Sequence, residues 1–332
     1  MRRRRGLILG GLLTLAAAAL FLASLGIGRA PLTLIDLLFG ADGTDPQIAG
    51  IVLTEIRLPR AILAVMVGAA LGLSGAVLQG YLRNPLAEPG LVGASSMAAL
   101  GAVVALYTGL AAALPWTLPA GGMLGALAGV SVVHLLAGRS ASPTVLILAG
   151  VAVNSLAGAL TSLALSLAPS PFAMQEIVFW LLGSLADRSF DHVLLALPFM
   201  AAGAVLLAST ARGLEALTLG SDAARSLGVS LDRLQVQVAL GTALAVGAAV
   251  AVSGAIGFIG LVVPHLLRPL VGWRPAALLP VSALGGAVLA LAADIAARVL
   301  SENAELNLGV VTAMVGAPFF IYLLVSTRRR LA

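Results

Sequence analysis

Long apolar runs, broken by short clusters of arginine, proline and glycine, recur along the whole chain. They predict helices near 6–27, 57–81, 90–109, 116–138, 143–168, 190–209, 233–253, 256–271, 276–298 and 308–326. A membrane-spanning helix takes about 20 apolar residues, and most of these runs reach that length; the eighth is short. Between the fifth and sixth lies an amphipathic piece, residues 171–188, expected at the outer membrane interface with Trp180 at headgroup level. No low-complexity linker or soluble insertion interrupts the series, so residues 1–332 read as a single all-α, polytopic membrane domain of about ten spans. The first run follows Arg2, Arg3, Arg4 and Arg5, the layout of a secretory signal. From Gly6 to Gly28 it exceeds the usual apolar core of about 7–15 residues, and no clear small-residue cleavage site follows, so it is read as a retained span.

Composition agrees. Sixty per cent of the residues are apolar and 10% charged, against about 25% charged in a soluble domain. All nineteen basic residues are arginine, and there is neither lysine nor cysteine. Without lysine the chain has no phosphate-binding P-loop, so any ATP that drives it is hydrolysed on another chain. Without cysteine there is no disulfide or thiolate chemistry. The high isoelectric point, 10.9, does not point to nucleic acid, because the arginines sit in short loops and form no basic face. With the N-terminus inside, ten spans put fourteen arginines in the cytoplasm and five outside: Arg29, Arg57, Arg60, Arg188 and Arg298. That bias predicts cytoplasmic N- and C-termini.

Val67–Val77 (VGAALGLSGAV) and Val246–Ile256 (VGAAVAVSGAI) share seven of eleven residues. Small residues are common at membrane helix interfaces, which is one account of the echo. The other is duplication: an offset of five spans reverses direction and gives an inverted-topology repeat.

Four stretches carry candidate chemistry, each with two readings. Arg83-Asn84-Pro85-Leu86-Ala87-Glu88-Pro89-Gly90 is either a helix stop or an irregular backbone facing a path through the protein. Ser142-Pro143-Thr144 is a cap with proline in the first turn, or part of a gate. Arg57 and Arg60, with Arg298, either snorkel to headgroups or face an acidic partner. Residues 213–233 predict a short amphipathic helix ended by Gly228, lying on lipid or seated on a partner. Asp294, the one carboxylate well inside a predicted span, is read as the partner of Arg298 four residues on. His134, His192 and His265 stand apart from carboxylates and from each other, so no metal site or cofactor is expected.

RNPLAEPG, RLPR, LxLGxxxAxxLGV and ELNLGVVTAMVGAPFFIYLL together resemble the FecCD family, membrane permeases of ABC importers for iron-siderophores, haem and vitamin B12. The resemblance covers nearly the whole chain from Arg57 onward. It implies a cytoplasmic gate at Asn84 and Leu86, with a second ring at Ser142 and Thr144. It implies coupling to the ATPase through Leu219, Gly220, Ala223, Ala224, Arg225, Leu227, Gly228 and Val229, and docking of a periplasmic substrate-binding protein on Arg57, Arg60 and Arg298. The implied assembly holds two permease copies (a homodimer), two ATPase subunits and one binding protein in membrane lipid, and the permease itself catalyses nothing. Family members usually have Pro where this chain has Asn307, which predicts a looser start to the last span. Two other classes compete with this one. An ion-coupled secondary transporter suits the inverted echo but not the shortage of intramembrane carboxylates; an intramembrane enzyme lacks any nucleophile-base or H-E-x-x-H pattern.

Overall fold

The computed structural model describes residues 2–28, 45–114, 116–138, 142–300 and 306–331, and among them every regular element is helical. In chain order these are α1 (Arg2–Gly26), α2 (Pro46–Ile51), a π-helical turn at Val52–Arg57, α3 (Leu58–Tyr81), a 3₁₀ turn at Pro89–Val92, α4 (Ala94–Tyr107), α5 (Leu110–Ala113), α6 (Thr117–Ala137), α7 (Pro143–Ser166), α8 (Pro171–Leu181), α9 (Phe190–Ser209), α10 (Ala211–Leu217), α11 (Ser221–Ser226), α12 (Leu231–Ser253), α13 (Ile259–Leu267), α14 (Pro275–Val299) and α15 (Leu308–Leu331). Seven helices are long and apolar enough to cross a membrane, and α4 and the apolar part of α15 are shorter apolar helices. With α13 these account for all ten predicted spans. Arg29, counted among the outside arginines, and Arg139, one of the fourteen placed inside, lie outside the described residues.

Local chemistry sets the starts. Ser142 and Ser170 each cap a helix whose first residue is proline, accepting from the N–H groups of Val145 and Ala173, since proline lacks an N–H that the first turn could not pair anyway. Ser230 caps α12 the same way, through the Arg233 N–H.

The centre of the molecule is built on α3 and α12. Helix α3 packs most extensively on α14, and α12 on α9 and α6. Lipid tails are as apolar as leucine, so close backbone approach, rather than escape from water, must hold such helices together. Small residues permit it. A Cβ on Gly72 would strike the Ser282 carbonyl, one on Gly68 the Gly286 carbonyl, and one on Gly101 of α4 the Gly121 carbonyl of α6. The pairings also follow the echo: α3 and α14 are the second and ninth spans, α12 and α6 the seventh and fourth. Shifting every span by five exchanges these two pairs, whereas the more extensive contact of α12 with α9 has only a slight counterpart, α3 with α1.

Several expectations change. The eighth span is helical only from Ile259; residues 254–257 are non-helical and Phe258 takes a left-handed φ of 67°. Trp180 is 8% exposed and packed inside, while Phe172 and Phe179 on the same helix face outward, because α8 is drawn into the fold by its contact with α4 and by the close approach of Gly254 to the Trp180 carbonyl. Asn307 does not loosen the last span. It is buried, its carbonyl accepts from the Val310 N–H, and the following Gly309 N–H donates to Gly183 O at 3.1 Å. The segment 213–233 forms two short helices, α10 and α11, separated at Gly220, whose φ of 104° breaks the run.

Candidate functional site

Three groups of residues collect at the places where the helices are interrupted. The first is at the end of the molecule where α1 and α14 finish and α3 begins. Asp294, with no exposed side-chain surface, holds two arginines: Arg60 Nη2 at 2.9 Å and Arg298 Nη2 at 2.9 Å. Arg298 also donates to the carbonyls of Ser24 and Ile27 and to Ser24 Oγ. Arg57 is 3% exposed and donates to Leu25 O at 2.8 Å. The arginines therefore tie the C-terminal carbonyls of α1 to α3 and α14, where a helix dipole favours cations. A buried carboxylate shared by two guanidinium groups compensates charges that burial would otherwise make costly. Asp294 thus pairs with Arg298 as its spacing suggested, and also with Arg60, which sequence could not place beside it.

These three arginines line a cavity of about 410 Å³ together with Arg188, from the turn between α8 and α9. In the sequence, Arg188 stands out only as one of the five outside arginines. Its Nε donates to Val252 O at 2.6 Å. Burial pushes its guanidinium below the ordinary arginine range, and neighbouring Asp187 works against that shift.

The second group is the turn after α3. It closes as a Schellman cap: Arg83 takes a left-handed φ of 49°, and the Asn84 N–H reaches back to Gln79 O at 3.2 Å. Asn84 Oδ1 then accepts from the Leu86 N–H at 2.9 Å, the local bond that suits asparagine to turns. Both the helix-stop reading and a path-facing reading fit this geometry. Beyond the turn the backbone runs inward, where the Gly90 carbonyl accepts from Asn154 in the middle of α7, and the Glu88 carboxylate accepts from the Phe258 backbone N–H. So the irregular segments before α4 and α13 meet inside the protein, where non-helical backbone at membrane depth is tolerated. Gln79, fully buried, grips α13 at both ends, donating to Gly260 O and Leu261 O and accepting from Arg268 Nη2 at 2.7 Å. Ser142 and Thr144 lie apart from this junction, exposed at the start of α7.

The third group is α10 and α11. Gly228 ends α11 with a φ of 83° and open space where a Cβ would stand. Ala224 is fully buried within this chain, whereas Leu219 and Leu227 are 68% and 63% exposed. Arg225 pairs with Asp222 at 3.1 Å on the surface. Ala223 and Val229 are half-buried. Of the eight residues singled out here, the two leucines present the apolar face. Arg274 at the start of α14 reaches Glu215 of α10 at 3.1 Å, joining this pair of helices to the bundle.

The class is thus a polytopic α-helical membrane protein with interrupted helices and no sheet among its described residues. Comparison sharpens this. The FecCD transport family model matches residues 15–326, and the chain belongs to that family. It is 40% identical over 320 residues to the Fe(3+) dicitrate transport system permease protein FecD of Escherichia coli, covering 95% of this chain and 98% of that one. It is 38% identical to the hemin transport system permease protein HmuU of Yersinia pestis, covering 83% and 84%, and 39% identical to a cobalamin import system permease protein of Halobacterium salinarum, covering 84% and 74%. A solved structure described as an inward-facing metal-chelate type ABC transporter superposes with a TM-score of 0.85 at 35% identity, over 96% of this chain and 99% of that one. These relatives give no support to an ion-coupled mechanism.

Proposed function

We propose that this chain is the membrane-spanning permease of an ABC importer that moves a chelated metal or corrinoid, of the iron-citrate, haem and cobalamin class named for its relatives, inward across the cytoplasmic membrane. The full-length likeness to such permeases in both sequence and fold carries this reading. In the working assembly two copies of the chain surround the path, two ATPase subunits bind the end bearing α10 and α11, and an extracytoplasmic binding protein docks at the arginine-lined end. Both termini then lie on the ATPase side. ATP is bound and hydrolysed on the partner, since this chain contains no lysine for a P-loop. The permease acts by switching between packings biased from its two ends, with Asn84 and Leu86 at the inner constriction and Ser142 and Thr144 as a second ring.

The exposed side chains of Leu219 and Leu227 support ATPase seating on α10 and α11, because apolar groups on a segment otherwise polar are explained by a protein cleft that buries them. Leu219→Arg and Leu227→Arg, made separately, are expected to abolish co-purification of the ATPase and ATP-dependent cargo uptake while the chain still elutes as a folded species in detergent. Retention of the ATPase by both variants would remove the coupling role. Ala224, being buried in the chain itself, is not a clean probe of the partner.

A further inference from the structure

Four arginines line the cavity at the docking end, in excess over its two carboxylates, Glu55 and Asp187, but they are not equally able to meet a partner. Every guanidinium nitrogen of Arg298 is engaged, with Asp294, Ser24 or Ile27. Arg57 is buried and bonded to the end of α1. Arg60 uses Nε and Nη2 on Asp294, leaving Nη1 without a hydrogen bond among the described residues. Arg188 uses only Nε, on Val252 O, leaving both Nη1 and Nη2 without one. The residues with donors to offer are therefore Arg60 and Arg188, from two separate parts of the chain, facing one cavity of about 410 Å³.

We propose that Arg188, together with Arg60, forms the socket that receives an acidic side chain of the binding protein, while Arg57 and Arg298 serve to position the socket wall. A guanidinium presents N–H groups in a fixed fork that matches a carboxylate, so the two unused Nη groups of Arg188 suit one carboxylate oxygen pair. The backbone anchor from Nε to Val252 holds that fork in place before the partner arrives, which lowers the ordering cost of docking. This assignment rests on the docking reading given under Proposed function.

The test uses the full chain in lipid nanodiscs and a fluorescein-labelled hexaglutamate peptide as the acidic probe, with citrate and inorganic phosphate as competitors. Arg188→Ala and Arg60→Ala are each expected to weaken peptide binding about ten-fold at low salt, and Arg188→Lys, which keeps the charge but loses the fork and its anchor on Val252, to recover only a small part of the loss. Arg212→Ala, an exposed arginine in the α10 region, serves as a control and is expected to bind as the parent chain does. Size-exclusion profiles establish that each variant is folded; if Arg188→Ala is not, Arg188→Gln is read in its place. Weak binding by Arg60→Ala beside normal binding by folded Arg188→Ala would overturn the role of Arg188 and leave docking at this end intact. If neither variant loses affinity, or the probe does not bind, the docking reading itself fails. Tight binding of citrate or phosphate without binding of the peptide would make this a small-anion site and overturn the proposal.

Discussion

At the scale of single residues, buried charge and missing side chains decide most. Among the described residues, Asp294 is the sole counter-ion of Arg60 and Arg298, and it is fully buried. Removing one partner of such a group leaves uncompensated charge, at a cost of about 3–5 kcal/mol. Asp294→Asn is therefore expected to lower the melting temperature of the detergent-purified protein sharply, and an unchanged melt would mean that water already screens the arginines. Gly72 shows the steric counterpart. Its missing Cβ lets α3 lie against the Ser282 carbonyl of α14, so Gly72→Leu is expected to destabilise by about 1–3 kcal/mol or more through overpacking. Gly158→Leu on α7, where a Cβ meets nothing within 4 Å, should leave the melt of the isolated chain nearly unchanged. Comparing the two in one thermal-shift series separates packing from helix propensity.

Among the elements, α13 is held from outside itself by side-chain bonds at both ends. At nine residues it is too short to be stable alone, and Gln79 of α3 supplies bonds to both its ends. Gln79→Leu keeps the volume roughly but strips those bonds and leaves Arg268 without its partner. The expected result is faster amide hydrogen exchange across 259–267 and reduced cargo uptake, with ATPase co-purification retained. Equal exchange in the variant and the parent would show that α13 is held by packing alone. The adjoining contact, Glu88 to the Phe258 N–H, links the non-helical stretch before α13 to the one before α4. Two breaks in the helical pattern thus share a junction, which is where a transporter can change packing without unwinding a long span.

For the whole molecule, the division of labour follows from composition and shape. A chain with no lysine is expected to show no ATP hydrolysis when purified alone, and to support it only after an ATPase subunit is added. Measurable turnover by the isolated, contaminant-free chain would contradict that. Docking at the arginine end should weaken as salt rises from about 0.05 to 0.5 M, because the attraction is between charges and the screening length falls toward a few ångströms. Binding of the ATPase through Leu219 and Leu227 should depend far less on salt.

The sequence by itself determined the order of the apolar helices, the polytopic membrane class, the serine and proline start of α7, and the glycine that ends α11. Each is a local property, since hydropathy summed over some 20 residues and cap chemistry within one turn do not depend on distant parts of the chain. Tertiary structure alone decided which arginines are spent and which are free, that Ala224 and Trp180 point inward, and that the segments before α4 and α13 meet. The reason is distance along the chain: Arg60 and Asp294 are 234 residues apart, and Arg188 and Val252 are 64 apart. No pattern in one helix reports what another will bring beside it. A side chain's availability depends on hydrogen bonds completed only when the bundle closes.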